Sequence, residues 1–143
     1  MPLGEGNTVL VEFEPDVAYV EILNVLRAIR ALGYRPLVAH VERYDCLRRK
    51  PERVRELVSG YNLVQVNAAS IMAGYFSPVR RFVYRLLRAG LVHVVSTDKH
   101  SDDRRSPGLR DAYRRVAALC GTASADLLFY LNPCEIISTK EPV

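Results

Sequence analysis

Residues Pro36–Tyr44 read PLVAHVERY, and the rest of the chain is arranged around them. Leu37, Val38 and Ala39 form a short apolar run with little room for water, which predicts a buried strand. His40 stands where that strand should end, and Glu42, Arg43 and Tyr44 follow at once. A buried strand thus delivers an imidazole, a carboxylate, a guanidinium and a phenol into one loop. Open α/β sheets and barrels place their ligands beyond the carboxyl ends of strands for the same reason. A core histidine with a solvated helix start behind it is the plainer alternative for this stretch alone.

Working outward, Leu91–His100 reads LVHVVSTDKH, a second apolar run that ends in Asp98, Lys99 and His100. An Asp-x-His pair at a strand end offers a hard oxygen and a borderline nitrogen, a combination suited to Mn, Zn or Fe. Thr8–Phe13 predicts a first strand in which Thr8, Leu10 and Glu12 share one face. An acid alternating into so apolar a strand needs a partner or a metal, unless the strand end is open to solvent. Leu63–Ala68 predicts another strand, with Leu63, Gln65 and Asn67 on one face; two amides there suggest a polar lumen or the floor of a site. On the last strand, Leu91–Ser96, parity turns His93 away from Asp98, so His93 is read as a packed structural histidine.

Helical patterns fill the spaces between these runs. Pro15–Gly33 carries an apolar stripe of Val17, Val20, Leu23 or Asn24, Leu26 or Arg27, and Ile29–Leu32, with Gly33 suited to a C-terminal cap. Pro51–Gly60 turns Val54, Leu57 and Val58 inward. Ser77–Gly90 has Ser77 as N-cap and Pro78 at the first helical position, with arginines on the water side. Leu109–Cys120 and Ala125–Leu131 follow a polar loop at Ser101–Gly108. Strand, helix and strand in alternation predict an α/β fold of parallel strands with outer helices and right-handed crossovers.

The bulk composition is that of an ordinary globular protein. A length of 143 residues fits one domain, 1–143, with a real core. Hydrophobic residues make up 49% and charged residues 25%, which excludes a disordered or collagenous chain. The net charge of +4 comes from scattered arginines with no basic tail, so nucleic acid is not an expected partner. Cys46, Cys120 and Cys134 share no C-x-x-C spacing and read as reduced thiols. No apolar run approaches the roughly 20 residues of a membrane span, and no signal peptide precedes Val9; a cytoplasmic location is expected.

Four ordered motifs carry a resemblance. Val11–Glu12–Phe13, then AHVERY, then QVNAAS with Gly74, then Gly90–Leu91–Val92–His93 running into STDKH together cover nearly the whole chain. This chain resembles the PHP (polymerase and histidinol phosphatase) superfamily, and within it the capsular and exopolysaccharide tyrosine-protein phosphatases of bacteria. The resemblance implies a PHP-type (β/α) barrel and metal-dependent hydrolysis of phosphotyrosine on a protein, such as the tyrosine kinase of polysaccharide export, with Mn2+ as the expected divalent ion. It implies His40, Asp98 and His100 as metal ligands, Glu12 beside them as a metal or catalytic residue, Arg43 as the phosphate-binding catalytic residue and Lys99 near substrate. Val41 replaces the usual proline of AHPERY, and Lys99 replaces a small residue.

The superfamily opens with an H-x-H strand, whereas the three histidines here include none in that pattern. The expectation is therefore a partial barrel, its C-terminal portion, with weak or absent activity alone. Self-association or a complementing N-terminal segment would supply what is lacking. A catalytically inactive relic that binds phosphorylated or acidic segments through Arg43 is the competing class.

Overall fold

The computed structural model describes residues 1–97 and 108–138. Within them lie four strands: β1 (Thr8–Val11), β2 (Arg35–Val38), β3 (Leu63–Asn67) and β4 (Val94–Ser96). They form one parallel sheet in the order β1-β2-β3-β4, with Val11 beside Val38, Val38 beside Val64 and Asn67 beside Ser96. The expected α/β architecture of parallel strands and covering helices is the one observed.

Helix α1 (Tyr19–Ala31) joins β1 to β2, and α2 (Asp45–Arg49) and α3 (Glu52–Ser59) join β2 to β3. Between β3 and β4 come α4 (Ala68–Ile71) and α5 (Pro78–Arg88). Beyond β4 lie α6 (Leu109–Cys120), α7 (Thr122–Asp126), a π-helical segment (Leu127–Leu131) and α8 (Asn132–Ser138). Strand alternation divides the core in two. Val11, Val38, Val64, Val66 and Val95 face the helices, packing with Ile22 and Leu26 of α1, Val54 and Leu57 of α3, and Phe82, Val83 and Leu86 of α5. Leu37, Leu63 and Val94 form a smaller cluster with Ile136 and Leu3. Helices α1, α3 and α5 thus cover one face of the sheet, while Ile136 of α8 and Leu3 of the N-terminal segment cover part of the other.

Several boundaries differ from the sequence expectation. Helix α1 begins at Tyr19 because Val17 N–H closes a turn onto the Glu14 carbonyl, 3.1 Å away. Its buried residues are Ile22 and Leu26, while Val20 is 60% exposed. Ser77 does cap α5, accepting from Arg80 N–H at 3.3 Å with Pro78 at the first position. Arg80, expected to face water, is half-buried: it donates to the Ala73 carbonyl and lies 4.8 Å over the Tyr84 ring. The N-terminal segment is ordered against β1, where Leu3 N–H donates to the Thr8 carbonyl at 2.7 Å.

Strand β4 starts at Val94, later than expected, and His93 supplies the missing ladder contacts from just outside it. Its backbone N–H donates to the Val64 carbonyl at 2.9 Å, and its Nδ1 accepts from the Val64 N–H at 3.0 Å. Asn132 of α8 donates to the His93 carbonyl at 3.0 Å. Burial, helped by the Arg35 charge, pushes the His93 pKa down, so the imidazole is held neutral with Nδ1 free of a proton. Among the described residues no helix is long and apolar enough to cross a membrane.

Candidate functional site

Glu12 follows β1 directly, His40 follows β2 after Ala39, and Asn67 closes β3, so three neighbouring carboxyl ends meet at one edge of the sheet. His40 itself adopts a left-handed backbone, φ 33 and ψ 58. That conformation costs a non-glycine residue about 1–2 kcal/mol. It stops the strand abruptly and opens a 3-10 turn at Val41–Arg43, with Arg43 N–H returning to the His40 carbonyl at 2.9 Å.

His40 is buried, and its Nε2 lies 3.7 Å from a carboxylate oxygen of the more exposed Glu12. That gap is longer than a hydrogen bond. It is close to the roughly 3–3.6 Å span of two atoms that share one ion at about 2.1 Å. An imidazole nitrogen and a carboxylate oxygen are also a donor set that suits a transition metal. The described residues therefore fit two ligands of a metal ion. Among them no group of three or more His, Cys, Asp or Glu converges. Asp98, Lys99 and His100 lie outside the described residues.

Arg43 is exposed at the same loop, between two buried neighbours. Glu42 is 2% exposed, and its Oε1 accepts from the Asn67 N–H at 2.7 Å. Burial pushes the Glu42 carboxyl up; the Asn67 N–H, its own backbone N–H, the Ser70 hydroxyl and Arg43 act against that shift. Its Oε2 is left without a hydrogen-bond partner. Tyr44 is fully buried, and its hydroxyl accepts from the Phe13 N–H at 3.1 Å. Its ring meets Phe13 edge-on at 5.8 Å and His40 at 6.0 Å. Burial raises the Tyr44 pKa, and the Glu12 charge adds to the rise. On the sheet itself, Gln65 donates to the Ser96 hydroxyl, consistent with a polar floor.

Sequence reasoning named Glu12, His40 and Arg43, and the structure brings Glu12 and His40 together with Arg43 on the adjoining turn. It assigned no role to Glu42 or Tyr44. The signal available was their place on either side of an arginine in a loop next to a buried strand, but their partners are 25 and 31 residues away in sequence.

The fold and site together define a parallel α/β protein with an imidazole and a carboxylate brought together at adjoining strand tips. More particularly, the model of the family described as capsular polysaccharide synthesis, CpsB/CapC, matches residues 1–138, and the chain belongs to that family. The tyrosine-protein phosphatase CpsB of Streptococcus pneumoniae is 35% identical over 140 residues, covering 94% of this chain and 58% of the relative. CpsB of Streptococcus agalactiae is 33% identical over 133 residues, covering 90% of this chain and 55% of the relative. One of the crystal structures of YwqE from Bacillus subtilis and CpsB from Streptococcus pneumoniae, described as unique metal-dependent tyrosine phosphatases, matches with a TM-score of 0.85. That match has 22% identity and covers 99% of this chain and 57% of the other, which shows the fold. The chain thus spans a little over half the length of these relatives.

Proposed function

We propose that this chain is part of a metal-dependent phosphoesterase that removes phosphate from tyrosine residues of a protein of capsular or exopolysaccharide synthesis. The observation that carries the reading is the Glu12–His40 pair, 3.7 Å apart at the tips of β1 and β2 with Arg43 on the next turn. Asp98 and His100, which follow β4 in sequence, would complete the ligand set. A divalent ion, Mn2+ by resemblance, would clamp phosphate and lower the pKa of an attacking water when bound. Around it, His40 would offer an imidazole nitrogen and Glu12 a carboxylate oxygen. Arg43 offers a planar fork of N–H donors to phosphate oxygens. Lys99 adds positive charge close by in sequence. The chain would act in the cytoplasm as one PHP-like domain on a tyrosine kinase of polysaccharide export.

Mn2+ titration of the purified chain, followed by phosphotyrosine-peptide turnover, tests the reading. Glu12→Gln and His40→Gln should each weaken Mn2+ binding at least about ten-fold, since removing even an outer partner of a ligand costs that much. Arg43→Ala should spare Mn2+ and abolish turnover. Turnover should be weak for the chain alone and rise when an H-x-H segment is supplied. A chain that binds no Mn2+ refutes the metal site; strong turnover without addition refutes the need for further ligands.

A further inference from the structure

The loop after β2 reaches sideways to both neighbouring strands. Tyr44 takes the Phe13 N–H at 3.1 Å, one residue beyond Glu12, and Asp45 N–H donates to the Pro15 carbonyl at 2.9 Å. On the other side Glu42 takes the Asn67 N–H at 2.7 Å, where β3 gives way to α4. Both side chains are buried, whereas Arg43 between them is exposed. Phe13 lies beyond the last β1–β2 pairing, and Asn67, though still paired with Ser96 of β4, lies beyond the last β2–β3 pairing at Val64, so neither N–H meets a β2 strand carbonyl. A backbone N–H shielded from water without an acceptor is costly, and these two side chains supply the acceptors for the buried Asn67 and the half-buried Phe13.

We propose that Glu42 and Tyr44 are positioning residues. Together they form a strap that fixes the tips of β1 and β3 on either side of β2, and so sets Glu12 against His40 and the turn that presents Arg43. The purpose assigned to that geometry rests on the metal-site reading above. The energetic argument is one of division of labour. A carboxyl group at 2% exposure with one oxygen unpartnered is a poor device for stability alone, since an apolar side chain of the same shape avoids the desolvation cost. It does provide a directed acceptor for one N–H at one place. Likewise Tyr44 fills core volume that phenylalanine would fill equally well, edge contact with the Phe13 ring included; only its oxygen can accept the Phe13 N–H. Ligands held by outer partners lose about ten- to a hundred-fold in metal affinity when those partners are removed.

The test uses the isotope-labelled full chain with Tyr44→Phe, Glu42→Leu and Glu42→Gln, and Val116→Ala as a core variant remote from the strap. Without metal, Tyr44→Phe should speed amide exchange at Phe13 at least about ten-fold and spare Asn67, and Glu42→Leu should do the reverse. Glu42→Gln keeps a side-chain oxygen and should restore protection at Asn67. Mn2+ affinity, read from the paramagnetic resonance of the free ion, should fall about ten-fold in Tyr44→Phe and Glu42→Leu. It should hold in Glu42→Gln and Val116→Ala. Unchanged exchange at Phe13 and Asn67 overturns the strap. Wild-type Mn2+ affinity in the strap variants, or an equal loss in Val116→Ala, overturns its positioning role. If the wild-type chain binds no Mn2+, the functional reading falls, and the exchange pattern alone decides whether the strap holds the strand tips.

Discussion

Replacing His93 by leucine removes one hydrogen bond whose consequence can be worked through. The Nδ1 of His93 stands where a strand carbonyl would stand if β4 began one turn of the ladder earlier, and it receives the N–H of Val64, a residue with 0% exposure. Leucine fills similar space but accepts nothing, so a buried N–H is orphaned at a cost of about 1–3 kcal/mol. At about 2.1 cal/mol/K of unfolding entropy per residue, a loss of about 2 kcal/mol lowers Tm by roughly 7 °C in a chain of this length.

The pH dependence has a definite sign. The His93 pKa is depressed in the fold, so the unfolded chain takes up the proton first as pH falls. Its contribution is therefore full above the unfolded value of about 6.5 and is lost below it as the folded value is approached. Urea unfolding of wild type and His93→Leu, followed by circular dichroism at pH 7.5 and 5.5, measures the gap; comparing the two proteins cancels the other histidines. A gap below about 0.5 kcal/mol at pH 7.5, or one that widens at pH 5.5, would refute the reasoning, since a net hydrogen-bond loss should exceed that.

Glu42 carries the opposite sign. Its carboxyl is raised by burial, so the folded chain holds the proton more tightly, and stability is lost as pH climbs above the unfolded value of about 4.3. Glu42→Gln should therefore gain on wild type between pH 4 and 7 in paired unfolding curves; a shift the other way contradicts the assignment. Gly4 has φ +59, and a Cβ there would lie 2.6 Å from the Ile137 carbonyl oxygen. Gly4→Ala should cost about 1–2 kcal/mol through left-handed strain and displacement of α8, read as a lower urea midpoint; a midpoint equal to wild type would show that the N-terminal turn does not dock there.

The sheet was legible because its information is local. Val38, Val64, Val66 and Val95 lie in short apolar runs, each separated from the next by a helical stretch, and that pattern needs no knowledge of distant partners. Glu12 and His40 were legible as chemistry in the wrong surroundings: polar groups at the ends of apolar strands. The packing face of α1 was legible only in part. Leu26 goes inward and Val17, Leu23 and Ile29 pack against the core, but Val20 turns outward to solvent and Ile22 takes the buried place, a choice between neighbouring apolar residues that only the sheet decides. Nor could the left-handed backbone of His40 be read from residue type, since histidine is not a residue that demands it. Glu42 and Tyr44 escaped for another reason. Their roles exist only in contacts to Asn67 and Phe13, and no periodicity encodes those.

The register of the sheet has a consequence for how the chain is made. Each strand pairs with the next at nearly constant separation, 26 to 29 residues from Thr8 to Arg35, Leu37 to Leu63 and Gln65 to Val94. No pairing in the described sheet waits for a strand at the far end of the chain. Loop-closure entropy grows only slowly with length, so every closure costs about the same and none is a bottleneck. During synthesis, which runs from the N-terminus, each newly emerged strand meets a partner already exposed beside it. The molecule can thus assemble by accretion, in the order in which it leaves the ribosome, and the strap from β2 to β3 can close only after the sheet has grown past it.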